Sequence, residues 1–274
     1  MLKQRLLTAA ILIPVIILAT IYFSTLYFAG LLALFIGMGA WEWAGLSGYR
    51  HSAGKALFVL LMFALMTISF FCRKTSLAGW FIALTLLWWV VATLLVIVQQ
   101  RRGTLNLGAS YLKALIGVLT LVPAWLSLVL LHGNHPQGRI YVIFLLALIW
   151  LADSAAYFSG QRWGKTRLAS VISPGKTWEG VLGAILVSTL ASALFALATQ
   201  MQVPDIIIFS LICSITVMGS IVGDLMESLL KRLGNVKDSG GIFPGHGGVM
   251  DRIDSLTAAA PIFLAGLWLR LGFE

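Results

Sequence analysis

The stretch that decides the fold is Leu57-Phe-Val-Leu-Leu-Met-Phe-Ala-Leu-Met-Thr-Ile-Ser-Phe-Phe71, which carries no charge. Its apolar side chains do not alternate with polar ones, so it lacks the pattern of a membrane-barrel strand. With its neighbours it forms an apolar segment, 56–72, of about the length that a helix needs to cross a bilayer. Because lipid offers no hydrogen bonds to the backbone, we expect this segment to be helical.

The composition of the whole chain agrees with a membrane location. Of 274 residues, 59% are hydrophobic and 11% are charged, whereas a soluble domain has about 25% charged residues. This excludes a soluble enzyme, a disordered protein and a secreted disulfide scaffold. Cys72 and Cys213 both lie within apolar runs and give no reason to expect a disulfide.

Nine apolar segments of this kind predict an all-α fold, a polytopic bundle of about nine transmembrane helices. They are residues 6–23, 26–44, 56–72, 78–98, 111–131, 140–160, 180–200, 205–226 and 255–273. The first follows Lys3 and Arg5, as a secretory signal would. Its apolar core lacks a clear small-residue cleavage site, so we expect a retained helix.

The basic residues predict the orientation of the bundle. With nine spans, fifteen of the nineteen lysines and arginines fall on the side of the N-terminus. By the positive-inside rule the N-terminus is cytoplasmic and the C-terminus lies outside, in a multi-pass protein of the inner (plasma) membrane. The net charge of +9 is therefore a topology signal first, and we expect no nucleic-acid partner.

The loops divide the chain into two parts. Residues 1–110 form the first four helices and contain no motif. Residues 111–274 form helices five to nine and contain two long polar loops on the cytoplasmic side, 161–179 and 233–254. Any chemistry is expected in these two loops and in the helix ends beside them.

The acidic residues cluster at the same places. Seven of the ten lie in or beside the two loops, namely Asp153, Glu179, Asp224, Glu227, Asp238, Asp251 and Asp254. Carboxylates at membrane depth are costly, and they usually serve a function together with a partner. An interfacial carboxylate without a function is the alternative for any single residue, but it does not explain the whole group.

The spacing of these acids predicts a metal site. Four polar residues with i, i+3, i+4, i+7 spacing share one face of the eighth helix, namely Asp224, Glu227, Ser228 and Lys231. Asp251 and Asp254 have i, i+3 spacing and lead into the last helix. Two carboxylate-bearing helix ends that face each other would suit Mg²⁺. Helix capping is the alternative for Asp251 and Asp254.

A glycine-rich segment, Gly240-Gly-Ile-Phe-Pro-Gly-His-Gly-Gly248, lies between these helix ends. Its backbone can approach a ligand closely and direct amide groups at an anion. The basic residues that flank it are natural phosphate partners, namely Lys231, Arg232, Lys237 and Arg252. A flexible loop that faces lipid headgroups is the alternative. The mixture of acids, bases and glycines favours a metal–phosphate site, since headgroup binding needs no carboxylates.

The other loop contains Ser173-Pro-Gly-Lys-Thr-Trp-Glu-Gly180. Its Gly-Lys-Thr is not a P-loop, because that motif needs a glycine at the position of Ser170 and a preceding strand. Ser173, Lys176 and Thr177 are candidate phosphate or substrate contacts. A basic juxtamembrane loop anchored by Trp178 is the alternative.

The stretch Ser228-x-Leu-Lys-Arg-x₄-Lys-Asp-x-Gly-x₂-Phe-Pro-x-His-Gly-Gly-Val-x-Asp-Arg-Ile-Asp254 is a specific pattern. It resembles the signature of the phosphatidate cytidylyltransferases, also called CDP-diacylglycerol synthases. Residues 173–180 resemble the second conserved stretch of that family. The match in motifs covers roughly residues 150–255, whereas the first five spans agree only in hydropathy and length.

This resemblance implies that CTP reacts with phosphatidate to give CDP-diacylglycerol and pyrophosphate, for phospholipid biosynthesis. It also implies a homodimeric membrane enzyme that depends on Mg²⁺, with a monovalent cation such as K⁺ in some members. The nucleophile would be a phosphate oxygen that is already ionised, so no general base is needed. The obstacle is the repulsion between two anions, which metal ions and basic side chains would reduce.

We assign roles on this combined basis. The predicted catalytic residues are Asp224, Asp251, Lys237, Arg252 and His246, the last as a hydrogen-bond donor. The predicted substrate-binding residues are Ser173, Lys176, Thr177, Ser228, Lys231, Arg232, Gly247 and Gly248. The predicted metal ligands are Asp224 and Asp251, with Asp254, Asp153 and Glu227 as additional ligands.

Two other functions would use some of the same sequence features. A CTP-dependent polyprenol or phytol kinase shares carboxylate-and-glycine loops, but it would need a general base near the lipid. A transporter would place its acids near the midplane between repeats. Here the acids lie at one face, and the sequence has no visible repeat.

Overall fold

A computed structural model describes residues 2–75, 77–103, 108–241 and 247–271. Within them the chain forms nine α-helices and one pair of short strands. In chain order these are α1 (Leu2–Tyr22), α2 (Thr25–Leu46), α3 (Ser52–Cys72), α4 (Leu77–Arg102), α5 (Ser110–Gly133), α6 (Gly138–Trp163), β1 (Arg167–Ala169), β2 (Ser173–Thr177), α7 (Trp178–Ala198), α8 (Val203–Leu233) and α9 (Met250–Leu271).

The predicted membrane fold is confirmed. Each of the nine predicted spans corresponds to one helix, and α2 to α9 are each long and apolar enough to cross a bilayer. Helix α1 corresponds to the first predicted span, and the part of it whose side chains the structure describes, Ala10–Tyr22, is apolar. The chain is therefore a multi-span membrane protein. The name loop end is used below for one end of the bundle, at which α6 and α8 end and α7 and α9 begin.

The structure differs from the sequence prediction at the loop end. The loop at 161–179 contains an antiparallel hairpin, with Arg167 paired to Thr177 and Ala169 to Ser173. In addition, α8 continues to Leu233 and α9 already begins at Met250. The second loop is thus shorter than predicted, and both of its terminal acids belong to the first turns of α9. Hydropathy did not reveal these extensions because polar residues form them.

Helix α5 occupies the centre of the bundle, and most of its side chains are buried. It packs against α2 and α9, while α8 packs along α9 and α6 along α7. Trp43 of α2 is 1% exposed, and its indole Nε1 donates a hydrogen bond of 2.9 Å to the carbonyl oxygen of Lys113 in α5. A Cβ atom at Gly117 would collide with this indole ring. A glycine is therefore required where α2 and α5 approach each other.

We predict that Gly117→Ala lowers the free energy of unfolding by about 1–3 kcal/mol, because the added methyl group overpacks the Trp43 site. The measurement is the thermal unfolding midpoint of the purified protein in detergent. Gly30→Ala in α2 is the control, since nothing lies within 4 Å of its added Cβ. Equal unfolding midpoints for the two variants would contradict this account of the α2–α5 contact.

Candidate active site

The site begins where α8 meets α9 at the loop end. The predicted face of α8 is confirmed as a face that packs on α9, because Lys231 reaches across the contact. Its Nζ lies 2.7 Å from Oε2 of Glu227 and 2.6 Å from Oδ1 of Asp251. The three side chains are 11%, 2% and 10% exposed. A buried ammonium group thus links two carboxylates on neighbouring helices.

Asp251 also fastens the loop that precedes α9. Its Oδ2 accepts hydrogen bonds from the backbone N–H groups of Ser239 at 3.1 Å and Gly248 at 2.8 Å. The Ser239 hydroxyl lies 3.0 Å from the same oxygen. Asp251 therefore helps to cap the N-terminus of its own helix, which is the alternative role that its position in the sequence allowed. Both carboxylate oxygens of Asp251 accept hydrogen bonds from groups of the protein. Its assignment as a metal ligand stays a prediction.

A carboxylate from the N-terminal half of the chain completes this arrangement. Glu42 of α2 is 5% exposed and accepts hydrogen bonds from the backbone N–H groups of Val249 at 3.0 Å and Met250 at 2.9 Å. The Ser239 hydroxyl lies 3.0 Å from its Oε2 and can donate to it. Glu42 thus binds the positive N-terminal end of α9, where a carboxylate is stabilised.

Sequence reasoning missed Glu42 because it lies far in sequence from both loops. A signal was present, since this acid lies within the apolar run of α2, where an unpartnered carboxylate would be costly. The sequence could not show that its partners are backbone N–H groups at the start of another helix. Gly248 has no room for a side chain, because an added Cβ would collide with Glu42 and Ser239.

The hairpin brings the other loop to the same place. Nζ of Lys176 lies 2.6 Å from Oδ2 of Asp224, and the two side chains are 25% and 29% exposed. Nε of Arg232 donates to the carbonyl oxygen of Ile172 at 3.2 Å, which holds the hairpin against the end of α8. The hairpin of the first loop therefore contacts the end of α8 that leads into the second loop, through Lys176 with Asp224 and through Ile172 with Arg232.

Two further acids lie beside Asp224. Asp153 of α6 interacts electrostatically with Asp224 and Lys176, and Ser255 of α9 is its hydrogen-bond neighbour. Asp254 of α9 interacts electrostatically with Asp224 and Glu227. We call the four acids the carboxylate cluster, namely Asp153, Asp224, Glu227 and Asp254. The cluster draws its members from three helices.

The structure gives other predicted residues a local role or an exposed position. Thr177 is buried, and its Oγ1 accepts from the Gly180 N–H at 3.1 Å, so it caps the N-terminus of α7. The hydroxyl of Ser228 donates to Oδ1 of Asp224 at 3.3 Å. Lys237 and Arg252 are exposed at the loop end. His246, a predicted catalytic residue, lies outside the described residues.

The remaining predicted substrate contacts lie at the edges of the same region. Ser173 is half-buried at the start of β2. Gly247 has a φ of 79°, a left-handed conformation that favours glycine. It immediately precedes Gly248 and the start of α9. The described part of the glycine-rich loop thus turns sharply into the helix that carries Asp251 and Asp254.

Comparison with known proteins agrees with the motifs at this site. The model of the cytidylyltransferase family matches residues 3–269. This chain belongs to the cytidylyltransferase family. Several of its relatives are phosphatidate cytidylyltransferases. The one of Pseudomonas aeruginosa is 40% identical over 268 residues, which cover 98% of this chain and 97% of that protein.

Two other relatives carry the same name. A phosphatidate cytidylyltransferase of Haemophilus influenzae is 36% identical over 283 residues, covering 96% of this chain and 97% of that protein. One of Bacillus subtilis is 37% identical over 160 residues, covering 56% of this chain and 59% of that protein. The family resemblance seen in the sequence is thus confirmed, and the chain is a nucleotidyltransferase.

The carboxylate oxygens at the loop end of this cytidylyltransferase are chemically suited to bind a hard cation. The carboxylate cluster offers oxygen ligands, which Mg²⁺ prefers. Within the cluster, Oε1 of Glu227 is buried without a hydrogen-bond partner. Among the described residues, however, no three acidic, histidine or cysteine side chains are placed to hold a metal ion together. Lysine ammonium groups instead contact Asp224 and Glu227.

We predict that Glu42→Gln lowers the free energy of unfolding by about 1–3 kcal/mol. The amide would place a donor against the N–H groups of Val249 or Met250, which leaves a buried hydrogen bond unmade. The measurement is the thermal unfolding midpoint in detergent. Asp205→Asn is the matched control, since Asp205 pairs with Arg270 in an exposed salt bridge and should contribute less than about 1 kcal/mol. Comparable losses in the two variants would show that Glu42 has no special structural role.

Proposed function

We propose that this protein transfers the cytidylyl group of CTP to phosphatidate, which yields CDP-diacylglycerol and pyrophosphate for phospholipid biosynthesis. The observation that carries the proposal is the meeting of carboxylates and lysines from the hairpin, α8 and α9 at one end of the bundle, in a chain of the cytidylyltransferase family. The named relatives support the choice of phosphatidate as acceptor.

In this reaction a phosphate oxygen of phosphatidate attacks the α-phosphorus of CTP. The new bond joins the two phosphates, and the bond between the α-phosphorus and the bridging oxygen breaks to release pyrophosphate. The attacking oxygen is already ionised at neutral pH, so the residues need not remove a proton. What they must do is bring two anions together, since two unit charges at 4 Å repel by about 4 kcal/mol at an effective dielectric near 20.

The described side chains suit that task. Lys176 and Lys231 each carry an ammonium group between the hairpin, α8 and α9, at places that substrate phosphates would reach from the loop end. Phosphate oxygens would compete with Asp224 for the ammonium group of Lys176, whose side chain is 25% exposed. Lys231 is held by two carboxylates and is nearly buried, so it would act as a fixed positive charge. Lys237, Arg252 and Arg232 would extend this positive surface, and His246 would donate a hydrogen bond.

We further propose that Mg²⁺ serves as cofactor, together with a monovalent cation such as K⁺. Asp224 and Asp251 would be the leading ligands of the ion, with Asp254, Asp153 and Glu227 as additional ligands. These acids gather at the loop end of α6, α8 and α9, and Oε1 of Glu227 is buried without a hydrogen-bond partner. When bound, the ion would neutralise charge on the CTP phosphates.

The location and assembly of the protein are also part of the proposal. The fifteen basic residues on the N-terminal side support a cytoplasmic N-terminus and a cytoplasmic loop end, in the plasma (inner) membrane. CTP would then arrive from the cytoplasm and phosphatidate from the adjoining leaflet. The family resemblance supports a homodimer.

The function is tested with CTP labelled at the α-phosphate and dioleoyl phosphatidate, added to purified protein. We expect label to enter the lipid, and we expect Asp224→Asn to reduce this rate about a hundredfold or more. Asp205→Asn, a carboxylate at the opposite end of α8, is the control and should leave the rate unchanged. Label that stays wholly in CDP would identify a kinase, and full activity of Asp224→Asn would refute the assignment of that residue.

The metal proposal is tested by chelation. Excess EDTA should abolish label incorporation, and Mg²⁺ added beyond the chelator should restore it, while K⁺ alone should not. The reason is that the phosphates of CTP and the carboxylate cluster repel each other unless a divalent cation lies between them. Undiminished turnover in excess chelator would remove Mg²⁺ from the mechanism.

A further inference from the structure

The turn of the hairpin, between β1 and β2, is held by two helices that are distant from it in sequence. On one side lies Gln100, near the C-terminal end of α4. Its Nε2 donates a hydrogen bond of 2.9 Å to Oγ of Ser170, and its Oε1 accepts one of 3.0 Å from the backbone N–H of Val171. On the other side Arg232 of α8 donates to the carbonyl oxygen of Ile172. Three consecutive residues of the turn are thus fastened to the bundle.

The hairpin needs these attachments because it is small. Its strands have three and five residues, and their register is irregular between Arg167 and Ala169. A two-stranded hairpin alone is at best marginally stable in water. The side chain of Ile172 is 1% exposed and packs into the core. The position of the hairpin is therefore set by its contacts with the helices rather than by the pairing of its own strands.

The second strand of the hairpin carries Lys176 to Asp224. The ion pair between them is 2.6 Å long, and the two side chains are 25% and 29% exposed. An ion pair that water can reach contributes little to holding two segments together. If substrate phosphates compete for the ammonium group, the pair opens and no longer holds the strand. The contacts of the turn remain, because they involve neither of these two side chains.

We propose that Gln100 is a positioning residue for the transfer reaction. By fastening the turn of the hairpin to α4, it holds Lys176 where the phosphates of the substrates are bound. This inference rests on the proposed function and deepens it, because it brings a residue from the part of the chain without a motif into the same site. A side-chain amide suits the position, since it offers both a donor for the Ser170 hydroxyl and an acceptor for the Val171 N–H.

The kinetic test removes both hydrogen bonds with Gln100→Leu, a change that nearly keeps the size of the side chain. The kcat/KM for CTP should fall about tenfold, because a displaced catalytic group loses rate. In the Lys176→Met background the same substitution should change kcat/KM by less than about twofold, because the group that it positions is already gone. A general loss of folded protein would lower both rates by the same factor.

Two matched variants serve as controls. In Gln100→Glu the carboxylate can accept hydrogen bonds from both the Val171 N–H and the Ser170 hydroxyl, so kcat/KM should stay within about twofold of the unaltered protein. Arg102→Gln, at an exposed position of the same helix end, should leave it unchanged. The inference is overturned if Gln100→Leu is fully active, if its loss is the same without Lys176, or if Gln100→Glu loses as much.

A second measurement does not depend on turnover. In detergent, amide hydrogen exchange of the hairpin peptide should be about tenfold faster in Gln100→Leu, because the Val171 N–H loses its acceptor and the turn opens more often. Exchange in α5 should stay unchanged. Equal exchange of the hairpin in the variant and the unaltered protein overturns the inference. Faster exchange in a protein whose unaltered form transfers no cytidylyl group would refute only the proposed function.

Discussion

The ion pair network around Lys231 is the interaction on which the loop end depends. One ammonium group, 11% exposed, joins Glu227 of its own helix to Asp251 of the next at 2.7 and 2.6 Å. Removing one partner from such a buried pair costs roughly 3–5 kcal/mol, since a charge is left without compensation. The network therefore holds the end of α8 and the start of α9 at a fixed separation, and both helices carry acids of the carboxylate cluster.

A second set of contacts connects this ion-pair network to the loop before α9 and to the N-terminal half of the chain. Asp251 and Glu42 lie on either side of the Ser239 hydroxyl, and between them they accept the N–H groups of Gly248, Val249 and Met250. Two carboxylates thus accept the hydrogen bonds of the backbone N–H groups at the start of α9. Residues without a motif, such as Glu42, consequently support the segment that bears the motif.

Much of the fold and the general place of the site could be predicted from the sequence. Apolar runs of about 20 residues must form helices in lipid, and all nine predicted spans correspond to helices. The i, i+3, i+4, i+7 spacing correctly placed Glu227 and Lys231 on one face of α8. The hairpin at Arg167–Thr177 and the role of Thr177 as a helix cap could not be predicted, because short polar segments have no hydropathy pattern and their pairing depends on what they pack against.

The sequence by itself determined the membrane class, the helices and the family, because hydropathy and near-fixed motifs are properties of consecutive residues. Only the tertiary structure decided which charges meet. It paired Lys176 with Asp224 and Glu42 with the N-terminus of α9, over separations in sequence that no local pattern spans. It also brought Gln100 of α4 to the turn of the hairpin. The reason is physical: a buried charge takes the partner that packing brings within hydrogen-bond distance.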